Sequence, residues 1–329
     1  MKSKTKKYRG GEINNKLLLD DKFIKNNLKD ILNNSSEKYK FDIKIEKLNE
    51  EKYYNIFIEN EDNITREYNP DNDSCLTIAF NKTQEGISIK IDMIYKCAPI
   101  NNYGNFILES IKKFANKYGY YSIIIDTDSS YLDLYFNIDG EKRNIIIKLY
   151  YLSILSTGKS WYNKMGFYTP INKEQIQDNI YKIKQNIRYI NDSVKIMELI
   201  EKTLKMYIGI ENKIPICYRL VNDYNKFSEL YNFILDITKK TDNNSIQEVF
   251  QELSNYIKTN CNTITKTCSV DYETILKINC FIQFVYLLLD LKYETTNLIY
   301  YVSKTSGGKK IKNTKGRKIK QKWKTKKRY

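Results

Sequence analysis

Gly104-Asn105-Phe106-Ile107-Leu108-Glu109-Ser110-Ile111-Lys112-Lys113-Phe114-Ala115, closed by Tyr118-Gly119 and followed by Tyr121-Ser122-Ile123-Ile124-Ile125-Asp126, is the stretch that decides the fold. Ile107, Leu108, Ile111, Phe114 and Ala115 recur on one helical face, which predicts an amphipathic helix with Gly119 as its left-handed stop. Tyr121–Asp126 is short and apolar throughout, the pattern of a buried strand. Upstream, Cys75–Phe80 and Gly86–Cys97 read as a hairpin joined by residues 81–85. The order is strand, loop with one glycine, helix, glycine, strand. Such units place their two strands in parallel, with the helix crossing over on one face of the sheet.

Working outward, Ile13–Leu32 has apolar residues at helical spacing. From Tyr39 the period changes to two, Phe41, Ile43 and Ile45 alternating with Asp42, Lys44 and Glu46, and a second such run follows at Tyr53–Glu59. Downstream, Tyr131–Asn137 and Asn144–Leu149 flank Asp139-Gly140, a hairpin turn signal. Beyond Pro170 the texture changes. Ile176, Ile180, Ile183, Ile187, Ile190, Val194 and Met197 alternate steps of four and three, and Asn172 with Gln175 forms a capping-box pattern. That spacing suits one long helix packed in a bundle. Further helical patterns cover residues 217–239, 245–259 and 270–292, and Tyr300-Tyr301-Val302 reads as a last strand. The expectation is an α+β protein. Residues 1–12 form a basic tail, 13–170 a domain with a mixed central sheet, 171–302 an all-α helical domain, and 303–329 a disordered basic tail.

The 329 residues are 41% hydrophobic and 29% charged, enough to build a core. A net charge of +16 comes from 55 Lys+Arg against 39 Asp+Glu, but residues 1–9 and 303–329 hold five and thirteen of the bases and no acid. With those eighteen set aside the body is near neutral. Histidine is absent, which removes Ser-His-Asp and Cys-His nucleophilic pairs and His-ligated metals. Six cysteines occur without a CxxC pair, so no zinc site is expected, and buried free thiols in a reducing compartment are the simple reading. Lacking an apolar leader, the N-terminus argues against secretion, and Cys280–Leu291 is too short and too interrupted to span a bilayer. An intracellular location follows as the expectation.

Three pieces in order, the Gly86–Cys97 strand, the Gly104–Tyr118 helix with its Tyr121–Asp126 strand, and Trp161-Tyr162-Asn163-Lys164-Met165-Gly166-Phe167, resemble the GNAT-type N-acetyltransferase superfamily. The last looks like that family's Tyr-x-x-x-Gly-Phe ending. The resemblance covers about residues 40–170 and implies a sheet of the acyl-CoA N-acyltransferase type. It implies acetyl-CoA as co-substrate, an amine of unknown identity as acceptor, direct attack on the thioester, and no metal. Tyr162 is then the candidate acid for the leaving thiolate, and Asp92 and Asp126, with Asp128 beside them, are candidates to take the amine's proton. The residues expected to hold the donor are Met93, Tyr95 and Cys97 on the strand, which the family bulges, and Asn102, Tyr103, Gly104 and Asn105 at the helix start. The chain departs from the family where Pro99 and Asn102 stand in the phosphate-binding loop, where a hairpin intervenes at 131–149, and where a long helix replaces the last two strands.

A second reading is an inactive module of the same fold, held on nucleic acid or a virion assembly by its tails; composition and tails also look like proteins of large DNA viruses. The Lys/Arg-rich segment 303–329 with Trp323 and Tyr329 suits polyanions, nuclear targeting or solubility alike. Ser156-Thr157-Gly158-Lys159-Ser160 imitates a P-loop but has Ser153 where the motif needs glycine, so nucleotide hydrolysis is not expected.

Overall fold

The computed structural model of the chain describes residues 15–36, 39–48, 51–59, 74–94, 103–128, 130–169, 171–206, 215–262 and 265–302. Helices α1 (Asn15–Leu18) and α2 (Asp21–Ser35) come first. The single helix expected there is divided, because Asp20 is extended and its carboxylate accepts the Phe23 N–H at 2.8 Å, capping α2 afresh. Strands β1 (Phe41–Leu48), β2 (Glu51–Ile58), β3 (Leu76–Lys82) and β4 (Ile87–Ile94) follow, then helix α3 (Tyr103–Tyr118) and strand β5 (Ser122–Thr127). Next come the hairpin β6 (Tyr131–Ile138) and β7 (Glu141–Lys148), and helices α4 (Leu149–Thr157), α5 (Trp161–Lys164) and α6 (Asn172–Ile183). A 3-10 turn (Ile187–Ile190) leads to α7 (Ser193–Met206), α8 (Ile216–Leu220), α9 (Tyr224–Thr238) and α10 (Ile246–Asn260). The two-residue strands β8 (Cys261–Asn262) and β9 (Thr267–Cys268), helix α11 (Tyr272–Leu288) and strand β10 (Thr296–Tyr301) complete the chain.

The protein is therefore mixed α+β, with a six-stranded sheet in the order β1-β2-β3-β4-β5-β10. β4 and β5 are parallel, Ser88 opposite Ser122 through Ile91 opposite Ile125, and the other pairs are antiparallel. Period-two alternation sends Ile87, Ile89 and Ile91 of β4 into one buried core, together with Ile24, Leu28 and Leu32 of α2 and Ile107, Ile111 and Phe114 of α3. Each such side chain, fully withdrawn from water, contributes about 1.5–3 kcal/mol before entropy is counted. Asp139 and Gly140, at φ 51° and 82°, make the expected left-handed hairpin turn between β6 and β7.

A second core gathers Leu134 and Ile147 of that hairpin, Leu155 of α4, Ile183 of α6 and a ring stack of Phe227, Phe250, Phe281 and Phe284. The two cores do not divide at residue 170. The chain leaves the sheet at Tyr168, whose N–H and C=O bond to Ile299 at 3.0 and 3.1 Å, and it returns as β10, with Leu298 and Val302 in the sheet's core. Residues 169–295 are an excursion whose ends meet at one sheet edge. That excursion is not all-α, since it carries β8 and β9, and the β6–β7 hairpin packs into its core.

The long heptad helix is also interrupted. Ile187 N–H donates to the Asn244 carbonyl at 2.8 Å and Ile246 N–H to the Gln185 carbonyl at 2.9 Å, so the backbone there bonds to another segment and the helix stops at Ile183. Val194 and Met197, expected in the core, are 64% and 43% exposed. The capping box forms one turn earlier than expected, between Thr169 and Asn172.

Free thiols are overturned as well. Cys217 is bonded to Cys280 across a separation of 63 residues, Cys261 is bonded to Cys268, and Cys75 is likewise disulfide-bonded. Spacing could not reveal this, because the packing of α8 against α11 is what brings the Cys217 and Cys280 Cα atoms to 5.0 Å. No helix among the described residues is long and apolar enough to cross a membrane.

Two stability measurements follow. Closing a loop of 63 residues is worth about 4 kcal/mol on the loop-entropy account, so Cys280→Ala or a reductant should lower the melting temperature clearly. An unchanged melting temperature would mean that the bond does not form in solution. Asp21 of α2 accepts from Lys52 Nζ at 3.0 Å and from the Tyr54 hydroxyl at 2.8 Å. Desolvation opposes its charge, but the Lys52 and Tyr54 bonds and the Lys52 charge outweigh it and lower its pKa from 3.8. A carboxyl with a lowered folded pKa stabilises above its unfolded pKa, and that stability is lost as pH falls through the folded value. Asp21→Asn should therefore melt below the parent at neutral pH, the gap closing under about pH 3. A gap that persists in acid would contradict this.

Candidate functional site

The site begins with a break in backbone register. Thr77 of β3 pairs with Met93, but Ile78 pairs with Ile91, so Asp92 is an extra residue: a β-bulge in β4. The β4–β5 ladder has its last pair at Ile91 and Ile125, one residue before the bulge. Carboxyl ends of parallel strands are where open sheets form ligand crevices, and a bulge turns backbone N–H groups out of the ladder.

On the sheet face away from α2 and α3, Ser88 and Ser122 share a buried hydrogen bond of 2.8 Å across the parallel pair. Lys90 Nζ stands 3.2 Å from Asp92 and 2.8 Å from Asp126, so two expected catalytic carboxylates are brought together through a lysine. Hydrogen bonding to Asp126 is the main cause that raises the Lys90 pKa. Desolvation raises that of Asp92, despite the opposing Lys90 bond and charge, with Asp126 and Glu51 adding to the rise. Asp92 and Met93 form one end of a groove of about 680 Å³ on this face. Its floor is polar: Thr77 Oγ1 donates to Asn55 Oδ1 at 2.8 Å and Asn55 Nδ2 to Glu46 at 2.9 Å, while Tyr53 and Phe57 supply aromatic walls. Sequence reasoning missed Lys90, Asn55 and Glu46. Their strand alternation was legible, but the register that sets Asn55 opposite Thr77 was not.

Of the expected donor-binding residues, Tyr95, Cys97 and Asn102 lie outside the described residues. Gly104 has a different use from the expected one. A Cβ there would come within 2.8 Å of the Trp161 indole, whose Nε1 donates to Asn105 Oδ1 at 2.8 Å, so glycine lets α5 close on the start of α3. Tyr103 is 3% exposed and belongs to the helix-side core, and its hydroxyl has no hydrogen-bond partner among the described residues.

Tyr162 lies between Trp161 and Phe167, and Phe167 is fully buried in the helix-side core. It is thus not clustered with Asp92 and Asp126. Desolvation first, and then the Asp128 charge, raise its pKa well above 10. A phenol less acidic than a thiol near 8.5 cannot hand over its proton downhill, so Tyr162 suits donation of a hydrogen bond to a thiolate better than proton transfer. Asp128, 2% exposed, accepts from Ser130 at 2.7 Å and from the Tyr293 hydroxyl at 2.8 Å, which in turn accepts from Ser160 at 2.7 Å. The P-loop-like segment is a pair of helix ends: Gly158, at φ 75°, caps α4, and Ser160 with Asn163 forms the capping box of α5.

Gly104→Ala should force the indole away and break its bond to Asn105. A loss of about 1–3 kcal/mol is expected by thermal or urea unfolding, largely recovered when Trp161→Phe is added. An alanine tolerated at no cost would show that the indole does not rest there.

Comparison of the chain with protein-family models, curated proteins and solved structures finds no match in any of the three.

Proposed function

We propose that the chain is a divergent N-acyltransferase of the acyl-CoA type, carrying acetyl from acetyl-CoA to an amine. The supporting observation is the parallel β4–β5 pair that ends at Ile91 and Ile125, with a bulge at Asp92 and a helix connecting the two strands. In this reading the antiparallel pairing of β10 with β5, and the Tyr168–Ile299 bridge beside it, stand for the family's last two strands. The donor lies along β4 past Ile91, where the bulge at Asp92 interrupts the ladder. The acceptor enters as the neutral amine by the open-face groove, whose lining carries Glu46 and Asp92 beside Lys44 and Lys47. The amine nitrogen attacks the carbonyl carbon, the C–S bond breaks, Asp92 takes the amine's proton, and the thiolate leaves with the electron pair.

A second reading, the inert module held by its basic tails on nucleic acid or a virion assembly, is favoured by the Trp161 indole resting on Gly104, where the family admits a phosphate. An intracellular site of action belongs to both readings, though bonded cysteines are commoner in oxidising settings.

Titration calorimetry of the full chain with acetyl-CoA, and thiol release in the presence of lysine peptides, decide between them. Weak donor binding is expected, with turnover that falls about a hundredfold in Asp92→Asn and little in Tyr162→Phe, at similar donor affinity. Neither heat nor thiol release would establish the inert module.

A further inference from the structure

The second core carries a cavity that the groove on the sheet does not use. A pocket of about 190 Å³ lies between α8, α9 and α11. Its floor is apolar: Val221, Leu230 and Cys280 are buried, with the half-buried Phe233 ring beside them. One wall is fixed by the Cys217–Cys280 disulfide, which fastens α8 to α11 and so holds Leu220 and Val221 at the pocket. An apolar cavity of about 150 Å³ accepts a benzene ring, so this one has room for a group of that size or a branched aliphatic chain.

Four charged side chains edge that floor from exposed positions, Lys226 and Glu229 on α9 and Glu273 and Lys277 on α11. Phe227 meets Phe281 and Phe284, whereas Phe233, later on α9, meets Lys277, earlier on α11. The two helices therefore run antiparallel here. Along the cleft the charges follow in the order Lys226, Glu229, Lys277, Glu273, alternating in sign at roughly 4–6 Å of helix axis. Glu273 and Lys277 also have the spacing and order that favour an ion pair within one helix. They form none: Lys277 Nζ lies instead over the Phe233 ring, 5.0 Å from its centroid, and none of the four is ion-paired among the described residues.

We propose that this pocket binds a free amino acid with an apolar side chain of leucine's size. The side chain lies on the floor, the α-carboxylate meets Lys277, and the α-ammonium meets Glu229. An alternating row of charges suits a zwitterion, because both ends of its dipole find an opposite charge. A lone carboxylate or a lone ammonium would find a like charge beside each opposite one. Small-molecule sites commonly have this composition, a concave apolar surface with a few polar groups that fix orientation. The proposal does not rest on the acyltransferase reading.

The test is titration calorimetry of the full chain with leucine, without reductant so that α8 stays fastened. A Kd on the order of 0.1–1 mM is expected for so small a ligand. Three further probes divide the contact: isocaproate, which is leucine without its ammonium; isoamylamine, which lacks the carboxylate; and glycine, which lacks the side chain. Each should bind about tenfold more weakly than leucine, or not at all. Glu229→Gln and Lys277→Gln should each weaken leucine about tenfold while melting like the parent, since both positions are exposed. Leu220→Trp, at the pocket's exposed mouth, should abolish binding by filling the cavity. No heat with leucine overturns the proposal. So does isocaproate or isoamylamine binding as tightly as leucine, which would make the site one for a single charge, and so does glycine binding as tightly, which would leave the apolar floor without a role. Leucine affinity unchanged in both rim variants overturns it as well.

Discussion

The parallel backbone ladder between Ser88–Ile91 and Ser122–Ile125 is the constraint on which the rest of the structure depends. Parallel neighbours cannot be joined by a tight turn, so the chain between them has to cross a face of the sheet, and α3 is that crossing. Once α3 lies there, its apolar stripe needs a second layer. That layer is shared with α2, which reaches the sheet through Asp21, Lys29 and their partners on β1 and β2. On the other side of β5, β10 pairs antiparallel and turns what would have been an exposed edge into an interior strand.

The ladder also explains where chemistry can occur. It is short, and the bulge at Asp92 lies just past its end, so β4 and β5 part beyond Ile91 and Ile125 while each stays paired with its outer neighbour. Two carboxylates that would repel each other across this point are reconciled by Lys90, held between them. The opposite face is occupied differently. There Lys112 reaches the Met165 carbonyl and lies over the rings of Phe167 and Tyr300, fastening α5 and the Gly166-Phe167 turn to α3.

The excursion from 169 to 295 shares one apolar core with the β6–β7 hairpin and α4, and polar contacts fix its ends. Asn179 bonds both ways with the backbone of Lys292, at 2.8 and 3.1 Å, and the Glu294 N–H donates to Gln175 at 3.1 Å. Tyr293 packs against both cores and bonds the buried Asp128. Its two ends meet at Tyr168 and Ile299, and closing so long a stretch costs little more entropy than closing a shorter one, because the cost grows only with the logarithm of length.

What the sequence by itself determined is local. The apolar face of α3, strand alternation, the Asp139-Gly140 turn and the strand-helix-strand order depend on neighbours within one or two turns, and these appear close to where periodicity predicts them. The candidate residues Asp92, Asp126 and Tyr162 were legible as positions, since strand ends and motif spacing are also local. What only the tertiary structure decided is non-local. The register that makes Asp92 a bulge, the return of β10 after 127 residues, the disulfide between Cys217 and Cys280, and the division of the heptad helix by the 185–187 and 244–246 backbones each join segments far apart in the chain. No spacing rule encodes such pairings, because the free energy that selects them is gained only when the distant partner arrives. Gly104 marks the boundary between the two kinds of knowledge. Its place at the helix start could be read from the chain, but that its missing side chain accommodates Trp161 depends on a contact made across the fold.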